Sequence, residues 1–239
     1  MPLTHEQIRH FRHCGYLKLP DCLPPETVAE LKKTIHQDIA DQTEPVVRDQ
    51  TDRVIRISQV LDRAPIFHQA ATHPPLLDAL ESLLGPHVEL VKNRHNHATL
   101  NLATATRDSY HRDAVQWTRS LVTTILYLED TNLDNGCTHI VPGTQQLPGL
   151  DLLHRVEEEQ WVAASGLLAQ AIPVPMPAGG ILLIDGLVFH RIGQNHTQNT
   201  RMSITLGFHS ADELSDAEDP KRILVRGERN YRGNDRKSS

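Results

Sequence analysis

Near residue 87 the chain changes its periodicity, and that change limits what it can fold into. Upstream, apolar residues recur at helical spacing. Val28, Leu31, Ile35 and Ile39 make a stripe through PPETVAELKKTIHQDIADQ, and Pro25 sits in the first turn. In LTHEQIRHFRHCG, Thr4 and Gln7 have capping-box spacing, Ile8 and Phe11 share a face, and Gly15 suits a helix end. HPPLLDALESLLG predicts a third helix ending at Gly85, while YLKL and the alternating RVIRISQV (53–60) predict two strands between the helices.

Downstream the segments HVELVKN, ATLNLATA, SLVTTILYLED, CTHIVPG, GGILLIDG and RMSITLGFH are short, rich in Val, Ile, Leu and Thr, and divided by DNG, PGT and PAGG. Such segments are strands joined by turns. The expectation is one domain over residues 1–239: helical support over 1–86, a β core over 87–211, and a lid or insertion over 145–171. That insertion lacks strand character, is long for a connection, and contains a helix candidate in EEEQWVAASGLLAQA. The polar segment 212–239 carries Arg222, Arg226, Arg229, Arg232 and Arg236 among acids and glycines, and reads as a solvated tail.

Composition removes several function classes. Apolar residues make up 38% and charged residues 23%, as in soluble globular proteins. The net charge of −6 argues against a broad basic face for nucleic acid. Cys14, Cys22 and Cys137 form no disulfide framework and suit a reducing compartment. With no charged-then-apolar start and no run of about 18 apolar residues, neither a signal peptide nor a membrane span is expected, so the location is expected to be cytoplasmic. The NHT sequon at 195–197 is then coincidence.

The histidine count is 15, and the stretch YHRDAVQW (110–117) concentrates the question. A His-Arg-Asp triplet occurs in protein-kinase catalytic loops, but those need Asn five residues after the Asp, where this chain has Thr118. Neither a glycine-rich phosphate loop upstream nor Asp-Phe-Gly downstream accompanies it. A His-x-acid spacing could instead hold a metal. Three exist: His36/Asp38, His87/Glu89 and His111/Asp113, where composition alone predicts roughly two. The first lies in a predicted helix, where residues two apart face different ways. On a strand the pair shares a face and can grip one ion.

Only His111/Asp113 has the right sequel. Non-haem Fe(II) takes two histidines and a carboxylate on one octahedral face, leaving three open positions. His190 follows the predicted strand GGILLIDG and supplies the second histidine from elsewhere in the chain. Arg201, 11 residues later, opens another strand. A buried guanidinium near such a site suits a dicarboxylate cosubstrate, and Ser203, on the same strand face, could donate to the same carboxylate.

At these residues the chain resembles the phytanoyl-CoA dioxygenase family of Fe(II)/2-oxoglutarate-dependent oxygenases. LTHEQIRHFRHCGYLKLPDCLPPETVAELKK is similar to the family's opening, YHRD to its first metal strand, DNGCTHIVPGTQ to its Asn-Gly-Cys turn, and HRIGQNHTQNTR to its last ligand and oxoglutarate arginine. The resemblance implies a double-stranded β-helix, a cupin-like jelly roll that is mainly β with flanking helices. It implies His111, Asp113 and His190 as iron ligands and catalytic centre, Arg201 on 2-oxoglutarate, and O2 as the third reactant. Ile192 departs from the family's small polar residue two after the second histidine, which moves a cosubstrate contact to Ser203 or Thr123. Asp113 stands where related halogenases lack a carboxylate, so oxygen transfer, desaturation or ring closure is expected.

Further candidates follow from position. KNRHNH (92–97) is expected on the strand before the first ligand, so Lys92 and Asn93 could contact cosubstrate and His95 and His97 substrate. Trp117, Tyr127 and His139 are candidate pocket walls, whereas Arg112 alternates away from the ligands, with surface or an outer ion pair as its expected place. The polar cluster points to a small, hydroxyl-rich substrate of secondary metabolism, and KNRHNHATLN is similar to the orthoester-forming oxygenases of oligosaccharide antibiotic biosynthesis. The alternative is a non-catalytic metal- or 2-oxoglutarate-binding sensor of the same fold.

Overall fold

The computed structural model describes residues 2–102, 109–114, 120–147, 154–211 and 219–229. Among the described residues the α-helices are α1 (His5–Cys14), α2 (Pro25–Ala40), α3 (Pro65–Ala71), α4 (Pro74–Leu84) and α5 (Gln160–Ser165). The strands of the N-terminal third are β1 (Tyr16–Leu19), β2 (Val46–Arg48) and β3 (Val54–Ser58). After them come β4 (Val88–Val91), β5 (His97–Thr99), β6 (Leu121–Tyr127), β7 (Thr138–Val141), β8 (Ile172–Val174), β9 (Ile181–Asp185), β10 (Phe189–Ile192), β11 (Ser203–Ser210) and β12 (Arg222–Arg226).

The local signals behave as their chemistry requires. Thr4 accepts from the Gln7 amide, the Gln7 side chain returns to the Thr4 amide, and Gly15 ends α1 in the left-handed region at φ 80°. A large sheet orders β1-β9-β6-β11-β5-β3-β2, with β4 paired to β11 and β12 to β4; a smaller one orders β10-β7-β8. Every pairing between these strands is antiparallel.

Strand alternation divides the large sheet's two faces. Val122, Leu126, Leu183, Ile204, Leu206 and Phe208 pack on Leu31 and Ile35 of α2 and Leu76 and Leu80 of α4. Ile125, Tyr127, Leu182 and Ile184 point the other way, onto Ile140 and Val174 of the small sheet. Each fully buried Leu or Ile contributes about 1.5–3 kcal/mol, which keeps the helices docked on the outer face and leaves the space between the sheets for a site. This is the jelly-roll arrangement of a double-stranded β-helix.

Five of these helices and strands were not expected. β2 and β8 have three residues each and β10, which carries His190, has four, too few to show a period, and α3 is a seven-residue helix. The fifth corrects a reading. Residues 222–226, expected in a solvated tail, form a strand on β4. Arg222 and Arg229 reach the buried Glu89 carboxylate at 2.6 and 2.7 Å, and Arg226 pairs with Asp78 at 2.8 Å. Long-range ion pairs, invisible to local pattern, hold this segment. Residues 92–96 also differ: they form the turn between β4 and β5, with His95 and Asn96 at φ 62° and 43°. Among the described residues no helix is long and apolar enough to cross a membrane.

Candidate metal centre

His111 and His190 come from separate segments joined as a two-residue antiparallel bridge. The His111 amide donates to the His190 carbonyl at 3.0 Å, and the reverse bond is 3.1 Å. Their imidazoles lie 4.4 Å apart between ring centres. Asp113, two residues after His111, is anchored by its amide donating to the Gly186 carbonyl at 2.7 Å. One ligand atom from each of His111, Asp113 and His190 can be chosen so that all three lie within 4.8 Å of one another. Sites of this size hold a divalent ion on one face.

The rings are oriented for it. His111 Nδ1 lies 3.0 Å from the Ser109 carbonyl, and His190 Nδ1 3.0 Å from the Val188 carbonyl. A carbonyl only accepts, so each Nδ1 carries the proton and each Nε2 presents a lone pair. Burial pushes the His190 imidazole below its ordinary value, favouring the neutral form a metal needs. Burial alone would push the Asp113 carboxyl up. The imidazoles of His190, His95 and His111 outweigh it and hold the carboxyl well below the usual range, so it is an anion.

Two further groups grip that carboxylate. The Thr123 hydroxyl donates to Oδ2 at 2.6 Å, and His95 Nε2 lies 3.3 Å from Oδ1. Thr123 is thus placed on the carboxylate that would hold the metal. His95 reaches Asp113 from the β4–β5 turn through its left-handed backbone, a conformation that strand alternation does not anticipate.

Arg201 is the second pole. Only 1% of it is exposed, and none of its three guanidinium nitrogens has a hydrogen-bond partner among the described residues. The Tyr127 ring centre is 5.8 Å away. Its neighbours pin it there: the Thr200 hydroxyl and the Met202 amide both donate to Glu129, which pairs with Lys32 of α2 at 2.8 Å. Buried Asn195 donates to the carbonyls of Asn101 and Asn199 and closes the loop before Arg201. Glu129 and Asn195 escaped the sequence reading because their partners are distant in the chain or are backbone atoms. Arg201 and Ser203 have the strand parity of Tyr127, across from Ser203 in register, so they face the inter-sheet space that Thr123 also faces. Ser203 Oγ is 3.3 Å from Thr99 Oγ1.

The remaining candidates scatter. Lys92 pairs with Asp62, and Asn93 is exposed; neither is in the lining of the cleft beside His111. His97 is half-buried, its Nδ1 2.7 Å from the His95 carbonyl, and desolvation pushes it down to about 4. The Tyr127 hydroxyl pairs with that of Thr138 at 2.7 Å. His139, on β7, turns its Nδ1 to the Cys137 carbonyl at 3.1 Å. Trp117 lies outside the described residues. Arg112, expected at the surface or in an outer ion pair, is fully buried: it donates to the carbonyls of Thr144 and Leu147 at 2.9 Å and lies 4.5 Å over the Phe189 ring.

The Asn135-Gly136-Cys137 turn has a steric reason. A Cβ on Gly136 would meet the Gly193 carbonyl oxygen at 2.3 Å, so only glycine lets this turn lie against the end of β10, next to His190. A cleft of about 950 Å³ opens on the centre, walled by Arg56, Thr99, Asn101, His111, His154 and Ile192 among others.

A family model described as phytanoyl-CoA dioxygenase (PhyH) matches residues 11–203. The chain belongs to the phytanoyl-CoA dioxygenase family. A relative in this family setting, the dioxygenase sphC of Aspergillus fumigatus, is 38% identical over 73 residues, 30% of this chain and 16% of that protein. The phytanoyl-CoA dioxygenase domain-containing protein 1 of Mus musculus is 27% identical over 160 residues, 59% of this chain and 52% of that protein. The matched part therefore spans about half or less of these relatives. Two of the solved structures that share the fold come from nogalamycin biosynthesis. SnoK, a non-heme alpha ketoglutarate dependent carbocyclase from nogalamycin biosynthesis, superposes with TM-score 0.76 at 18% identity over 93% of this chain and 96% of that one. The epimerase SnoN, in complex with Fe3+, alpha ketoglutarate and nogalamycin RO, gives 0.72 at 22% identity over 94% and 96%.

Proposed function

We propose that this chain is an Fe(II)/2-oxoglutarate-dependent oxygenase that oxidises an unactivated C–H bond of a small, hydroxyl-rich metabolite. The observation that carries it is the pairing of a three-ligand cluster with an unpartnered, fully buried guanidinium facing the same inter-sheet space. Family membership supports the same reading.

His111, Asp113 and His190 would hold the iron, and Thr123 and His95 would fix the Asp113 carboxylate. When bound, the iron supplies oxidation of a C–H bond coupled to conversion of 2-oxoglutarate and O2 to succinate and CO2. The chain's part is binding, orientation and exclusion of water. Arg201 would take the distal carboxylate of 2-oxoglutarate by two parallel hydrogen bonds, with Ser203 as a second donor, and both lie where water is excluded. The donor set fits: two imidazoles with Nδ1 turned to backbone carbonyls, one carboxylate, and a buried cation without an ion pair among the described residues. Asp113 favours oxygen transfer or oxidative ring closure, orthoester formation included, and the setting we infer is secondary metabolism in a reducing compartment, where three free cysteines persist.

Anaerobic protein given Fe(II) and 2-oxoglutarate should develop the weak visible charge-transfer band of a chelated keto acid. No band removes the oxygenase reading. A band without succinate release on a panel of polyhydroxylated metabolites marks a binding or sensing protein instead.

A further inference from the structure

The cleft beside the metal centre has a cation that the roles above leave unused. Register places Arg56 across from Thr99, Thr99 across from Ser203, and Ser203 across from Tyr127. Tyr127 belongs to the inner cluster, so Arg56 points to the inner face, and it shares the cleft wall with His111. Two other arginines line the cleft, and each has a carboxylate: Arg48 with Asp52 at 3.8 Å, Arg155 with Glu158 at 3.3 Å. Asp49, the acid in the lining, holds Arg53 at 3.0 Å. Arg56 has no ion pair among the described residues, and its buried Nε has no hydrogen-bond partner. A buried donor left unmade is costly, so this one is a place for an acceptor that binds there.

That acceptor is not the cosubstrate. 2-Oxoglutarate has two carboxylates, one for the metal and one for Arg201 in the reading above. Strand β5 separates β3 from β11, so Arg56 stands about 10 Å, two strand spacings, from the Arg201 side. The chain as a whole carries −6, which makes an uncompensated cation beside the ligand His111 a local feature and not a consequence of composition.

We propose that the substrate bears an anionic group, a carboxylate or a phosphate, and that Arg56 binds it by two parallel hydrogen bonds while the reacting carbon lies towards His111. This deepens the oxygenase reading and rests on it for the word substrate. The His97 imidazole nearby is neutral, so it adds no second cation for the anion. A guanidinium matches both anions in its planar fork, whereas a lysine offers a point charge.

The test uses the full chain loaded anaerobically with Mn(II) and 2-oxoglutarate, titrated calorimetrically with methyl phosphate and with propionate. One probe should bind in the millimolar range or better, and the tighter of the two names the anion. Arg56→Gln should weaken that probe at least tenfold, and Arg56→Lys about threefold. Both variants should keep 2-oxoglutarate affinity within twofold of the parent. Arg56→Lys retains the charge and the stem, so it decides the matter if the glutamine variant does not fold. Binding of neither probe by the parent, or equal binding by parent and Arg56 variants, overturns the proposal. So does a loss of 2-oxoglutarate affinity in Arg56→Gln as large as that from removing Arg201, which would put Arg56 in the cosubstrate site. An Arg56-dependent anion site in protein that gives no keto-acid band with Fe(II) would sink the oxygenase reading and leave the anion site standing.

Discussion

Among the described residues two arginines are almost wholly buried, Arg112 at 0% exposed and Arg201 at 1%, and they differ in what surrounds the guanidinium. Arg112 lies behind the metal strand. Its guanidinium ties the carbonyls of Thr144 and Leu147 to that strand and rests on Phe189. Arg201 faces the inter-sheet space, and among the described residues none of its nitrogens makes a hydrogen bond. Taking a charge out of water is expensive unless hydrogen bonds replace the hydration. Arg112 is largely repaid within the fold, by two carbonyls and the Phe189 ring, although its Nε makes no hydrogen bond among the described residues, so its role is to brace the 144–147 segment against the ligands. Arg201 is not repaid within the fold, and only a bound anion repays it. A buried cation is thus a structural or a ligand-binding group according to whether the protein supplies its partners.

The contrast can be broken by exchanging each arginine for a methionine of similar length. The largest effect should be on cosubstrate binding: Arg201→Met should weaken 2-oxoglutarate by roughly 3–5 kcal/mol, a few-hundredfold or more. The melting temperature without ligand should stay level or rise, because an unpaired buried charge has been removed. Calorimetric titration and thermal unfolding read both, and a destabilised variant with intact binding would reverse the assignment.

Arg112→Met should do the opposite. It removes the guanidinium donor from the Leu147 carbonyl and one of two donors from the buried Thr144 carbonyl, and it removes the stacking on Phe189. Stability should fall by about 3 kcal/mol, a drop of roughly 6–12 °C for a domain of this size. The affinity of the folded fraction for 2-oxoglutarate should change by less than threefold.

The pH axis sharpens the same point at the imidazoles. His97 is pushed down to about 4 by burial, against an unfolded value near 6.5. Between those values the unfolded chain takes up a proton that the folded chain refuses. Stability should therefore fall as pH drops from about 6.5 to 4, by on the order of 2–3 kcal/mol, and the depressed value of buried His190 acts in the same direction. The depressed Asp113 carboxyl acts lower, below about 4, where its stabilisation is lost as it protonates. Urea midpoints across pH 4 to 7 measure this, and His97→Asn should flatten the slope.

The smallest effect is expected at Thr123. Its hydroxyl holds Asp113 Oδ2, so Thr123→Val should weaken metal binding about 10–100-fold while Arg201-dependent binding stays intact in protein saturated with metal. A metal affinity unchanged within twofold would return Thr123 to being an ordinary sheet residue.

The candidate site was legible in the sequence as far as strand parity carried it. His111 and Asp113 share a face because they are two apart, and Arg201 and Ser203 for the same reason. Parity failed at residues 92–96, where the backbone turns through left-handed conformations at His95 and Asn96. Lys92 left for Asp62 and His95 arrived on Asp113. It failed also at Arg112, because pointing away from the ligands meant pointing into a second buried region and not into water.

Taken by itself, the sequence determined the helical and strand periods, the cap of α1, the Asn-Gly-Cys turn and the types of residue able to ligate a metal. These depend on neighbours a few positions apart, and so they can be read along one line of text. Only the tertiary structure decided which imidazole faces His111, which of two buried guanidiniums goes unsatisfied, and that residues 222–226 pair with β4. Each of those depends on atoms brought together from distant positions, where burial sets the strength of every charge and hydrogen bond.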